Sequence, residues 1–234
     1  MTISRRAAAR ALEAHAPPGF IPELDEMEWL GIENDGMDCQ AVVVAADIRE
    51  STSLMKEAAD PTNFSRALHE FTTGGQEDAR STNGWFDKFT GDGFIVYWPD
   101  LNGKAIEPRL REALEFCHRT QRRFPRVFKR FEQNSRNLSA GAGLALGLDS
   151  GACRLAVVGT DLTIIGATIV GAVRMVSSAR AGDLLANVLP GEALERGFLE
   201  VRGMRVDRRV VETKDFPRGQ VAFRIELPKR APPL

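Results

Sequence analysis

Histidine, cysteine and tyrosine are scarce in this chain: 234 residues contain three, three and one of them. The cysteines, Cys39, Cys117 and Cys153, are scattered without pair spacing. That pattern excludes a disulfide framework and a zinc cluster, and it suits reduced, inert thiols in a cytosol. The histidines, His15, His69 and His118, all fall in segments with a helical pattern, where surface or satisfied positions are the ordinary outcome, so no imidazole is expected in the working motifs. Neither sign of charge is in excess. Thirty-one Lys and Arg against 32 Asp and Glu leave a formal net charge of −1, which favours neither nucleic acid nor an anionic membrane. The first residues, Ser4-Arg5-Arg6-Ala7-Ala8-Ala9-Arg10-Ala11-Leu12-Glu13-Ala14-His15, are charged and helical and lack the long apolar core of a signal peptide or membrane span. A cytoplasmic protein is the expectation.

What is present is an ordinary globular composition, 43% apolar, enough for one sizeable domain with its own core. A break at Pro17-Pro18-Gly19 leads into an acidic, irregular connector over 20–39, so residues 1–39 read as an extension packed on a dimer and 40–234 as the working domain. Neither a preceding sensor domain nor control by a fused receptor is expected. Helices are predicted over 63–80 and 107–136, covering one face of a sheet, with a bend at Pro125. Within the second, residues 119–131 interleave Phe with Arg and Lys. This arrangement reads either as a nucleic-acid contact or, as helical spacing favours, as a buried Phe stripe with a solvated basic face.

The richest stretch is Ala41-Val42-Val43-Val44-Ala45-Ala46-Asp47-Ile48-Arg49-Glu50-Ser51-Thr52. A strand apolar on both faces ends on a carboxylate, and from Glu50 the pattern turns helical. Asp47 is either a helix cap or the start of a metal-phosphate site whose helix-start N–H groups hold an anion. A second acid decides between them. Gly84-Trp85-Phe86-Asp87-Lys88-Phe89-Thr90-Gly91-Asp92-Gly93-Phe94-Ile95-Val96-Tyr97-Trp98 reads as a β-hairpin with Asp92 at its tip. Alone, Gly-Asp-Gly is ordinary turn chemistry. Beside the first strand, Asp92 and Asp47 converge, and two carboxylates there suit two divalent cations and phosphoryl transfer.

In these motifs the chain resembles the class III nucleotidyl cyclases, which share a strand ending in Asp-Ile, a Ser/Thr-containing helix start and Lys-x-x-Gly-Asp, here Lys88-Phe89-Thr90-Gly91-Asp92. Leu144-Ala145-Leu146-Gly147-Leu148-Asp149-Ser150-Gly151 looks like the strand and turn before the dimer-facing hairpin. Leu162-Thr163-Ile164-Ile165-Gly166-Ala167-Thr168-Ile169-Val170-Gly171-Ala172-Val173-Arg174-Met175 is similar to the family's Gly-x-x-Val-Asn-x-Ala-x-Arg segment. The match covers roughly 41–227. It implies an α/β (α+β) fold of ferredoxin-like palm type, with a central, mostly antiparallel sheet flanked by helices.

The resemblance also implies roles. Asp47 and Asp92 match the metal-binding acids, Ile48 lends a carbonyl, and two Mn²⁺ or Mg²⁺ ions are the cofactors. Thr52 matches a phosphate contact, and Arg174 the arginine that stabilises charge on the reacting phosphate, its bland alternative being a salt bridge. Lys214 falls near the triphosphate-binding lysine or belongs to a solvated face. Lys88 and Thr163 match the two base-reading positions, a combination seen among adenylate-type enzymes. The ribose 3′-hydroxyl attacks the α-phosphorus in line and pyrophosphate leaves, with no side-chain base required. Because the acids come from one subunit and the base-reading residues and arginine from the other, a homodimer with shared sites is implied.

Two departures stand out. Val170 replaces the family's asparagine, and Arg49-Glu50-Ser51 replaces the residues that usually precede the Thr, adding in Arg49 a cation beside the triphosphate. Asp-Ile-Arg-x-Ser-Thr with that missing Asn resembles the pyrimidine cyclases of bacterial anti-phage defence, the Pycsar systems. That implies cyclic UMP from UTP, read by a separate effector protein, with cyclic CMP and cyclic AMP as the alternatives. The Gly-Gly-Asp/Glu-Glu-Phe signature of diguanylate cyclases is absent. A catalytically silent scaffold, suggested by Val170, is the rival of another class.

Overall fold

The computed structural model describes residues 32, 35–57, 60–101, 106–132, 141–159, 161–197, 199, 201, 203–213 and 215–228. The 1–39 extension lies almost wholly outside them.

The apolar run after Gln40 forms the sheet's spine. β1 spans Met37–Arg49, with β3, Gly93–Asp100, on one side and β4, Gly143–Val158, on the other, both antiparallel. Alternate β1 residues serve two cores. Val42, Val44, Ala46 and Ile48 face one, and Ala41, Val43 and Ala45 the other, all at most 3% exposed. This both-faces burial is what the unbroken β-branched run requires.

The eight-stranded sheet runs β2-β3-β1-β4-β6-β8-β7, with β5 pairing β4 off that path. β2 is Trp85–Phe89, β5 Asp161–Ile165, β6 Leu184–Ala186, β7 Arg205–Thr213 and β8 Phe216–Glu226. Among the described strands only β4 and β6 pair in parallel, so the sheet is mostly antiparallel as expected.

α1, Ser51–Glu57, leads to α2, Pro61–Ser81, capped by Asp60 whose side chain accepts from the Thr62 N–H. α3, Ile106–Glu132, packs beside α2 and runs on through Pro125. Phe124 and Phe128 are buried with Phe71, while Arg122, Arg126 and Lys129 face outward. The Phe stripe with a solvated basic face is therefore the arrangement adopted. On the opposite face α4, Ala167–Ser178, buries Thr168, Gly171, Ala172, Met175 and Val176 against β4 and β1. α5, Val188–Glu195, follows β6.

Two expectations change. No turn occurs at Asp149-Ser150-Gly151, because β4 continues to Val158 and pairs β5 with its second half. The polar residue that suggested a turn is instead satisfied inside: Asp149 accepts from Asn187 Nδ2 at 2.9 Å and from the Ser150 N–H at 2.8 Å. The cysteines are also not all scattered in space. Cys39 and Cys153 are direct partners across β1 and β4. They are free thiols, and burial pushes Cys39 up to about 12 and raises Cys153, which keeps both protonated and unreactive.

Candidate functional site

The carboxyl end of β1 meets the tip of the β2–β3 hairpin. The ladder between β1 and β3 ends at the pair Asp47↔Gly93, one residue from Asp92. A tight loop closes the hairpin, with the Thr90 N–H donating to the Gly93 carbonyl at 2.9 Å and Gly91 at φ +99°. Gly93 is required for a different reason: a Cβ there would lie 2.0 Å from the Ala46 carbonyl oxygen. Bare backbone lets the strands close, and that closure brings the two acids to one place. Phe94, packed in tilted and edge-on contacts with Phe71, Phe86 and Phe116, anchors the hairpin from below.

Each acid has a local partner. Ser51 Oγ donates a hydrogen bond to Asp92 Oδ2. Arg49 Nη2 lies 2.5 Å from Asp47 Oδ2 and donates to the Val176 carbonyl at 2.8 Å. Burial pushes the Asp47 carboxyl above its ordinary value, Arg49 pulls it back, and Asp92 adds to the rise. This is the electrostatic signature of two acids facing one space. Arg49, expected as a cation beside a triphosphate, is thus held here by Asp47 and by α4. It ties Asp47 to the last turn of α4, where the negative end of the helix dipole favours a guanidinium.

Past Asp47 the ladder leaves Ile48 and Arg49 paired only on the β4 side, so the edge toward Asp92 is open. Ile48 buries its side chain, leaving backbone at the site. Thr52 is exposed on the first turn of α1. Glu50 makes the strand-to-helix switch at φ +59°, an unusual conformation for a residue with a side chain. Among the described residues no group of three or more His, Cys, Asp and Glu can hold a metal. A hard cation shared with substrate phosphates needs only one or two carboxylates, so the pair Asp47 and Asp92 with open backbone fits that use.

The remaining residues form two further groups. Val170 and Arg174 lie one turn apart on α4, Val170 47% exposed, and Arg174 is ion-paired with Asp215. Lys88 and Thr163 meet through a residue that the motif reading passed over, Asp87. Thr163 Oγ1 donates to Asp87 Oδ1 at 2.5 Å, and Lys88 Nζ lies 3.1 Å from Asp87 Oδ2. The available signal was Trp85-Phe86-Asp87: two consecutive aromatics and an acid break strand alternation and mark a bulge. Lys214 lies outside the described residues. Among the described residues no hydrogen bond or ion pair joins Arg174, Lys88 or Thr163 to Asp47 or Asp92.

No family model and no curated protein matches the chain. Solved structures do. The adenylyl cyclase CyaB from P. aeruginosa superposes with a TM-score of 0.71 at 18% identity over 84% of this chain and 98% of that one. The guanylyl cyclase Cya2 gives 0.66 at 18% over 82% and 94%. The guanylate cyclase domain of RhGC from Catenaria anguillulae, solved with GTP, gives 0.62 at 14% over 82% and 98%. The chain has the fold of the class III adenylyl and guanylyl cyclase catalytic domains.

Proposed function

We propose that the chain is a divalent-cation-dependent nucleotide cyclase that converts UTP to 3′,5′-cyclic UMP and pyrophosphate, with 40–234 as the catalytic domain. The observation that carries the reading is a separation. Asp47 and Asp92 converge at one end of β1, while among the described residues Arg174 is paired with Asp215 and Lys88 and Thr163 with Asp87, and none of the three bonds to either acid. Two copies arranged around a twofold axis supply both halves, which gives two equivalent sites.

Asp47, Asp92 and the Ile48 carbonyl would hold Mn²⁺ or Mg²⁺, which when bound supplies Lewis acidity and neutralises phosphate charge. Ser51 fixes the Asp92 carboxylate, and Arg49 fixes that of Asp47. Thr52 contacts a phosphate, and Lys214 the triphosphate. Arg174, released from Asp215, meets the charge that develops on the reacting phosphate. The 3′-hydroxyl and the α-phosphorus belong to one substrate, so the protein's main task is to hold them in line. Lys88 and Thr163 read the base, and Val170 presents an apolar surface to the nucleotide.

UTP is assigned because Asp47-Ile48-Arg49-x-Ser51-Thr52 with Val170 resembles the pyrimidine cyclases of anti-phage defence. The cyclic nucleotide would act in the cytoplasm on a separate effector. No described helix is long and apolar enough to cross a membrane. A second reading, cyclic AMP from ATP, is favoured by one observation: Lys88 and Thr163 are held together, and that pair resembles the adenylate-type combination.

The test incubates the purified protein with Mn²⁺ and each of ATP, GTP, CTP and UTP, and identifies products by mass. Cyclic UMP as the main product supports the assignment. Cyclic AMP alone sinks the pyrimidine reading, and no product from any nucleotide favours a silent scaffold. Asp47→Ala and Arg174→Ala chains should each be inactive and regain turnover when mixed. No recovery on mixing counts against shared sites.

A further inference from the structure

Asp87 sits where a carboxylate is costly. Its side chain is 1% exposed, and burying a charge without partners costs several kcal/mol. A bulge explains how it gets there. The β2–β3 register shifts between Phe86 and Lys88, leaving Asp87 without a ladder partner, and bulges commonly re-aim a side chain. Here the re-aimed carboxylate bridges from β2 to β5. Its two oxygens face the two residues assigned to base reading. Oδ1 accepts the Thr163 hydroxyl at 2.5 Å, and Oδ2 lies 3.1 Å from Lys88 Nζ with no aligned hydrogen bond.

The chemistry of a hydroxyl gives this contact a consequence. A threonine has one proton to donate and two lone pairs. With its proton committed to Asp87, Thr163 can offer a base only lone pairs. Lys88, 54% exposed at its side chain, can offer only N–H. The pair therefore presents one acceptor and one donor in fixed order. Without the carboxylate the hydroxyl would turn either way and accept both kinds of base edge.

We propose that Asp87 is a positioning residue that sets base selectivity by fixing Thr163 as an acceptor and holding Lys88 beside it as a donor. This rests on the cyclase reading above, with Lys88 and Thr163 facing the base. Uracil and guanine carry a ring N–H beside an exocyclic oxygen; cytosine and adenine carry a ring acceptor beside an exocyclic amine. One fixed order suits one class and leaves the other with two donors or two acceptors face to face. For UTP the ring N–H meets Thr163 Oγ1 and the exocyclic oxygen meets Lys88.

The readout is a ratio of kcat/KM within bases of equal size: UTP against CTP, and GTP against ATP. Asp87→Asn keeps the shape, but its amide can donate to Thr163 and free the hydroxyl proton. The ratio that the wild type shows should fall at least tenfold. Thr163→Val should erase the same discrimination, Thr163→Ser should keep it, and the double variant Asp87→Asn/Thr163→Val should be no less selective than either single one. Equal loss with every nucleotide in Asp87→Asn, the ratio unchanged, would mean a purely structural carboxylate and overturn the proposal. If Asp87→Asn does not fold, the Val and Ser variants at position 163 decide alone: a selectivity that survives Thr163→Val overturns it. A wild type that makes cyclic AMP and no cyclic UMP sinks the UTP assignment but leaves this test intact through the ATP and GTP arm. A wild type inert toward all four sinks both.

Discussion

Replacing Gly93 with alanine places a methyl carbon 2.0 Å from the Ala46 carbonyl oxygen, 3.0 Å from its carbon and 3.1 Å from the Asp47 Cα. Real contacts of that kind do not fall below 3.0 Å, so β3 must retreat by roughly 1 Å at its first residue. β1 cannot give way, because it is held between β3 and β4 along its length. Overpacking of this kind costs about 1–3 kcal/mol, and losing the last ladder pair adds about 1 kcal/mol. At about 2–4 °C per kcal/mol for a chain of this size, a loss of about 3 kcal/mol lowers Tm by about 6–12 °C. The retreat also carries Asp92 away from Asp47. A 1 Å misplacement in a reacting constellation costs about a hundredfold in rate, so turnover should fall further than stability does. Thermal melting followed by circular dichroism and a Mn²⁺-dependent cyclisation assay measure the two losses. A Tm within about 1 °C of wild type with full turnover would refute the close approach of these strands.

Burial pushes the Asp149 carboxyl from 3.8 to about 6, although Asn187 and the Ser150 N–H pull it down. Between those values the native chain keeps a proton that the unfolded chain has lost, so the contribution of Asp149 to stability is fully present below about pH 4 and is lost as pH rises through about 6, a change of about 3 kcal/mol. Asp149→Asn should remove that slope; an identical change in urea midpoint between pH 4 and pH 7 in both proteins would contradict it. Arg49→Ala strips Asp47 of its cation and α4 of a C-terminal partner. We expect a loss of about 1–2 kcal/mol and a further rise in the Asp47 pKa, seen by carboxyl NMR titration, where an unmoved titration would speak against the pairing. Asp215→Ala breaks a half-exposed ion pair, so stability should change by less than about 1 kcal/mol. The nucleotide KM should fall several-fold as Arg174 is freed, and an unchanged KM would show that the pair does not compete with substrate.

The strand and hairpin that carry the acids were legible because their signals are local. An unbroken β-branched run cannot have a wet face, and Gly-Asp-Gly between aromatic strands closes a turn. The long helices were legible from their Phe spacing. What was not legible depends on distant partners. Asp149 looks like a turn residue in sequence, but the fold pairs it with Val43 in the β1–β4 ladder and Asn187, 38 positions on, donates to its carboxylate. Cys39 and Cys153 have no pair spacing, yet the β1–β4 register sets them opposite each other. Pro125, where a bend was expected, lies inside α3, which runs on to Glu132.

Arg49 and Asp87 show the same limit at the site itself. By position Arg49 reads as a cation for the triphosphate, because the motif places it two residues after a metal-binding acid. The fold gives it a nearer demand: the Asp47 carboxylate at 2.5 Å and the α4 carbonyl of Val176 at 2.8 Å. A guanidinium so engaged reaches a substrate only by leaving both. A cation held by Asp47, as proposed above, would compete with Arg49 for that carboxylate. Asp87 carries the opposite lesson. It lies between motif residues and belongs to none of them, so spacing assigns it nothing. The role proposed for it comes from a bulge and a contact 76 residues away in sequence. Motif spacing identifies groups that touch a ligand directly. The groups that fix their protons and charges are found by asking where each buried carboxylate is satisfied.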